Sequence, residues 1–164
     1  MVNRKSSLDT VRIGAFLQEY PIGVLSTVSA EKIPETAVLY YFPENDLTCF
    51  FVTKVSTRKY QNILQCSDAT LTAFDEKALA SVEIQGRVET VTDGAKVIQI
   101  IEKFQELVLK RRPTSTYWVP PISQIQAGHY VVCKLTPSHI NFNTFSLESD
   151  DALPERVTFP VKNK

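Results

Sequence analysis

The residues best placed to do chemistry run from Phe50 to Leu64. Phe50-Phe51-Val52-Thr53 has the apolar character of a buried strand. Lys54-Val55-Ser56 is a short polar turn, and the helix that follows opens on Thr57, Arg58 and Lys59. A phosphate suits such a place. The first-turn N–H groups of a helix have no intrahelical partner and point outward. The positive end of the helix dipole favours an anion. Ser56 and Thr57 can cap the helix, and Arg58 can grip phosphate oxygens in a fork that Lys59 supplements as a point charge. An ordinary capped helix with a solvated basic first turn explains the same residues. Cations in that turn oppose the dipole at a small local cost, which a bound anion would remove. These residues alone leave both open.

Other chemistries have less to stand on. Cys49, Cys66 and Cys133 are odd in number and scattered, without the spacing of a zinc or redox pair. They read as small core-filling residues in a reducing compartment. His129 and His139 sit in no metal-ligand motif, so no metal is expected. His129, after Gly128, has the chemistry of a haem ligand, though a lone histidine is more often structural. Asp75 and Glu76 are explained by a polar turn, and Lys110-Arg111-Arg112 by the C-terminal dipole of a helix. Trp118 and Tyr117 could stack on a planar ligand, but packing a loop is their default role. No Ser-His-Asp or Cys-His arrangement has supporting context.

The elements that must position the Thr53–Lys59 turn follow from periodicity. A helix is predicted over 7–18, with Ser6 or Ser7 as cap. Strands are predicted over 22–28, 34–42 and 47–53, joined by short polar turns as a hairpin meander. A helix over 57–66, a strand over 69–74 and a long strand over 81–92 come next. Gly86 inside that long strand signals a bulge or a close backbone approach. A helix over 97–109 leads to a loop over 113–126. Strands over 128–135 and 140–145 are joined by Thr136-Pro137-Ser138, and 157–161 reads as a final edge strand or ordered tail. Six or seven sequential antiparallel strands with three helices argue a mainly-β, α+β fold, a barrel with helices outside it. The 164 residues suit one domain, with a core over about 7–145 and a tail over 146–164. Eighteen basic and eighteen acidic residues cancel, which gives no sign of a nucleic-acid or anionic-membrane surface. With no long apolar run and no signal-peptide core after Met1–Ser7, the expected location is cytoplasmic.

In this order the segments resemble the pyridoxamine 5'-phosphate oxidase-like family of FMN-binding split barrels. Gly23-Val24-Leu25-Ser26-Thr27 is similar to the family's first strand and Ile33-Pro34-Glu35-Thr36-Ala37-Val38 to its second. Phe51-Val52-Thr53, with Thr57 and Lys59 four and six residues on, is similar to its phosphate-binding strand and loop. Ser81 to Glu89 resembles its long fifth strand, and Val131 to Pro137 with Ile140 its final pair. The resemblance spans about 7–145. It implies a six-stranded antiparallel split barrel of Greek-key type that pairs as a homodimer, with two FMN sites at the interface. Thr53 and Thr57 would then offer hydroxyls to the phosphate, and Arg58 and Lys59 would neutralise it. Thr36, Ala37 and Val38 would run along the flavin ring through their backbone, with Val52 nearby. Ser81 stands where family members often place a polar side chain.

Two departures bear on activity. The oxidase proper has an Arg and a Lys on the second strand, where Glu35 to Tyr41 offers no cation. Nor does the tail match its C-terminal Trp and Arg motif. Both argue against oxidation of pyridoxamine phosphate. The expectation is a flavin-dependent oxidoreductase acting on a small molecule, with no catalytic side chain assigned. The alternatives are a non-catalytic flavin-binding or stress-response protein, or a relative using deazaflavin, haem or no cofactor.

Overall fold

A computed structural model describes residues 4–111, 120, 122–144 and 155–160. The elements run α1 (Arg4–Glu19), β1 (Ile22–Val28), β2 (Pro34–Pro43), β3 (Cys49–Lys54), α2 (Arg58–Gln65), β4 (Asp68–Asp75), β5 (Ala80–Thr90), α3 (Gly94–Arg111), α4 (Ile122–Gln126), β6 (Tyr130–Thr144) and β7 (Glu155–Pro160).

All strand pairings are antiparallel, in the order β3-β2-β1-β4-β5-β6-β7, and β3 also pairs with β6. That last pairing, with Phe51 opposite Cys133, closes six strands into a barrel and leaves β7 beside the second half of β6. Closure removes the unpaired edges of an open sheet. Alternation fills the interior: Leu25, Tyr41, Phe51, Leu71, Ile84 and Leu135 are almost wholly buried. Ile13 and Leu17 of α1 and Ile100 and Ile101 of α3 are also buried. The Phe42 ring lies 5.4 Å from Phe50 and 5.2 Å from Phe104, which locks α3 onto β2 and β3.

The strand order dictates where α2 must go. β1, β2 and β3 form a meander, but β4 pairs with β1. In the closed ring β4 is therefore three strands from β3 in either direction. The connection must cross one mouth of the barrel, and α2 is that crossing. Asn62 bonds to Thr27 on one side, and the Tyr60 hydroxyl meets Thr90 Oγ1 at 3.1 Å on the other.

Several boundaries differ from expectation. Thr136-Pro137-Ser138 does not separate two strands: β6 runs unbroken through it, and Ser138 is the extra residue of a bulge between Gln85 and Gly86. Its hydroxyl donates to Gln85 O at 3.1 Å, so the bulge is pinned in place. Gly86 makes the close approach expected of it, since a Cβ there would lie 2.1 Å from Thr136 O. Within the loop predicted over 113–126, a short α4 forms. The first helix begins at Arg4, ahead of the serines proposed to cap it. An edge strand, β7, does form at 155–160. Tyr117 and Trp118 lie outside the described residues.

Candidate functional site

The turn from β3 into α2 begins with a hydroxyl pair. Thr53, 4% exposed, has its Oγ1 3.0 Å from Thr57 Oγ1. The Thr57 hydroxyl donates to Lys54 O at 2.9 Å, so Thr53 supplies the proton between the two threonines. Thr57 is the N-cap residue and has extended backbone angles, yet its side chain makes no cap hydrogen bond. The capping role expected of it is therefore not what it does. Its hydroxyl turns back to close the turn and leaves the first-turn N–H groups of α2 without a side-chain cap from this residue, while Tyr60 N–H and Gln61 N–H donate to Thr57 O.

Arg58 and Lys59 face different surroundings. Arg58 Nη1 donates to Glu35 Oε1 at 3.0 Å, with the Arg58 side chain 85% exposed and that of Glu35 24%. Ion pairs this open to solvent contribute about 1 kcal/mol or less. Asn62, one turn along α2 from Arg58, is buried and donates to the other carboxylate oxygen, Glu35 Oε2, at 3.0 Å. The same amide donates to Thr27 Oγ1 at 3.1 Å. Glu35 is thus held from two sides, one of them buried. Lys59 is half-buried, and no acidic side chain among the described residues pairs with it. Burial lowers its pKa, while the neighbouring Cys133 sulfur acts in the opposite sense. Burial pushes the Cys133 thiol up to about 12, so it stays protonated and is no nucleophile near neutral pH.

These groups line a cavity of about 260 Å³ bounded by Thr27, Glu35, Thr36, Ala37, Thr57, Arg58 and Lys59. Five of the sequence-predicted residues therefore meet: Thr36, Ala37, Thr57, Arg58 and Lys59. Thr53 supports them through Thr57. Val52 alternates onto the opposite face of β3 from Thr53. Val38 lies on the outer face, 71% exposed. Ser81 sits on β5, opposite Phe74, three strands from β2, or roughly 14 Å at ordinary strand spacing. Neither Val38 nor Ser81 lines the cavity. Sequence reasoning missed Thr27, Glu35 and Asn62. Spacing offered a signal for Asn62, four residues after Arg58 and so on the same helix face.

The arrangement can hold an anion through Lys59, half-buried and without an acidic partner among the described residues, through Arg58, already paired, and through the start of α2, where Thr57 provides no side-chain cap. A larger cavity of about 650 Å³ lies between the start of α3 and the strands β3, β6 and β5. Its two lysines are taken up by carboxylates, Lys96 by Glu44 at 2.6 Å and Lys134 by Glu89 at 2.9 Å, and Asp46 and Asp93 also line it. Among the described residues no cluster of His, Cys, Asp or Glu could hold a metal ion. No helix there is long and apolar enough to cross a membrane.

Comparison with solved structures finds the same fold. General Stress Protein 26 from Bacillus anthracis str. Sterne superposes with a TM-score of 0.64 at 20% identity, over 93% of this chain and 98% of that one. A putative pyridoxamine 5'-phosphate oxidase from Listeria innocua gives 0.61 at 19% identity, over 81% and 96%. An F420 reductase gives 0.60 at 19% identity, over 77% and 93%. At these identities the likeness is one of fold. No curated protein matches the chain. The family model described as pyridoxamine 5'-phosphate oxidase matches residues 10–143, which include every strand of the closed barrel except the last residue of β6, and the chain belongs to that family.

Proposed function

We propose that this protein binds FMN with the phosphate at the β3–α2 turn and works as a flavin-dependent oxidoreductase. The observation that carries this is Lys59, a half-buried cation without an acidic partner among the described residues, in a family member whose Thr57 leaves the helix N–H groups uncapped. Lys59 and Arg58 would hold the phosphate charge, Thr57 would fix the turn under it, and the backbone of Thr36 and Ala37 would border the rest of the cofactor. The flavin, when bound, supplies the hydride or electron chemistry. The chain's own groups bind and orient it, and none is placed to form a covalent bond with substrate.

A homodimer belongs to the same proposal. The outer face of β2, β1 and β4 presents Val38, Ile22 and Phe74 at 71%, 44% and 57% exposure. Val38 is opposite Val24, which is opposite Thr72. An apolar sheet face of this kind suits a protein partner, and a second copy laid on it would bring Val38 and Ser81 into the interface. Val38→Glu should then convert a dimer to a monomer in sedimentation. A monomeric parent protein removes this part of the proposal.

A non-catalytic flavin binder is the second reading, and β2 favours it. That strand faces the cavity with Glu35 and Ala37 and carries no cation, so fewer groups fix the ring end. A visible absorption spectrum and an FMN fluorescence titration test both. Bound flavin that NAD(P)H bleaches supports the reductase, and bound flavin without turnover the binder. A Soret band would redirect the assignment to haem, and preferential binding of F420 to a deazaflavin. Absence of any cofactor binding overturns the proposal.

A further inference from the structure

We propose that Glu35 is an internal counter-anion, anchored by Asn62 and occupying Arg58 until a ligand phosphate draws the guanidinium away, and that it sets how tightly the site holds a phosphate. The inference rests on the reading of this cavity as a phosphate site, but it concerns the residue that limits it. Both oxygens of the Glu35 carboxylate are used: Oε1 accepts from Arg58 Nη1 and Oε2 from Asn62 Nδ2, each at 3.0 Å. A phosphate would ask the same of Arg58, a fork donor for oxygen pairs. With Glu35 in the cavity wall beside Arg58 and Lys59, two cations and one carboxylate leave a single positive charge for an incoming dianion.

The two sides of the ion pair differ in how firmly they are held. Asn62 is buried and also bonded to Thr27, so it anchors the carboxylate to the barrel mouth. Arg58 is 85% exposed, so its guanidinium can leave Glu35 and turn to a ligand at little loss. After that exchange the carboxylate remains close to the bound phosphate and repels it. A site built this way releases its phosphate ligand readily. It favours a cofactor that exchanges with solution over one held through purification.

Glu35→Gln tests this directly, because the amide keeps an acceptor for Asn62 while removing the charge. FMN, riboflavin and inorganic phosphate are titrated against the full chain, the last by amide shifts of Thr57 and Lys59. FMN and inorganic phosphate should each bind about tenfold tighter to the variant, about 1.4 kcal/mol, with riboflavin affinity unchanged. The gain should shrink in an Arg58→Ala background, where the competition for Arg58 is gone and only the repulsion is left to remove. Unchanged or weaker phosphate binding would mean that Glu35 positions Arg58 for the ligand, and would overturn the inference. So would absence of phosphate binding by both proteins. Tighter phosphate binding with no FMN binding would sink the flavin assignment and leave Glu35 in this role. Glu35→Ala, expected to move affinities the same way, covers the case in which the glutamine variant does not fold.

Discussion

Thr53 and Thr57 hold their hydroxyl oxygens 3.0 Å apart across the turn that ends β3 and starts α2. Thr53 is buried and Thr57 passes the contact on to Lys54 O, so the pair fixes the point where the chain leaves the barrel wall. Thr57→Val keeps the shape but removes both bonds at Thr57. It should lower stability by about 1 kcal/mol in urea denaturation, the ordinary worth of such a hydrogen bond. It should also weaken FMN binding severalfold, since the first turn of α2 loses its anchor. An unaltered denaturation midpoint would show that the backbone holds the turn without the hydroxyls.

Much of this was legible in the chain, and the reasons are specific. β1, β4 and β5 follow period-two burial, so alternation located them to within a few residues, while the apolar run Phe50-Phe51-Val52 marked β3. The bulge at Gly86 was readable because only a residue without Cβ tolerates Thr136 O so near. Thr136-Pro137-Ser138 looked like a connection because proline lacks a ladder donor. Instead a bulge at Ser138 absorbs the irregularity and β6 continues. At the site, residue type located the basic turn. It could not show that Glu35, 23 residues upstream, pairs with Arg58, since that contact exists only once the crossover helix spans the barrel mouth. Nor could residue type show that the Thr57 hydroxyl bonds backward to Lys54 O instead of capping α2.

The same pairing orders the two cations. Arg58 already has an anionic partner and is exposed, whereas Lys59 is half-buried and has none among the described residues. Lys59→Ala should therefore weaken FMN binding by about tenfold or more, and Arg58→Ala by about threefold, within the range of charge-assisted contacts. Fluorescence titration of the two variants side by side decides it. A larger loss at Arg58 would place the phosphate on the guanidinium side of the cavity.

Lys59 also gives the site a pH signature. Burial lowers its pKa below the ordinary 10.5, because the charged form is poorly solvated. The folded state thus carries a penalty while Lys59 is charged, in full below its folded pKa. The penalty fades as pH rises from that value to 10.5, so this group's contribution to stability improves on the alkaline side. Phosphate binding has the opposite slope: it needs the ammonium, and affinity should fall as pH rises through the lowered pKa. Lys59→Arg should keep its affinity across that range, and the comparison subtracts any titration of the ligand. Parallel pH profiles for the two proteins would assign the anion contact to another group.

Gly86 tests whether the barrel depends on the bulge rather than on side-chain packing nearby. A Cβ at this position would meet Thr136 O at 2.1 Å, Thr136 C at 2.9 Å and Pro137 Cα at 3.0 Å, all of them backbone atoms. None can swing aside as a side chain would, so Gly86→Ala must push β5 from β6 where they exchange register. A destabilisation of about 2–3 kcal/mol is expected, at the upper end for inserting one carbon into a packed interior. Gly94→Ala provides the contrast, because nothing lies within 4 Å of a Cβ there, and it should be neutral or slightly stabilising. The distortion at Gly86 lies on the strand pair β5–β6, whereas the cavity is walled by β1, β2 and α2. Folded Gly86→Ala protein should therefore bind FMN with near parental affinity while unfolding at lower urea. Loss of binding at unchanged stability would mean that the bulge region contacts the cofactor, as it would if a second copy carried β5 to the site.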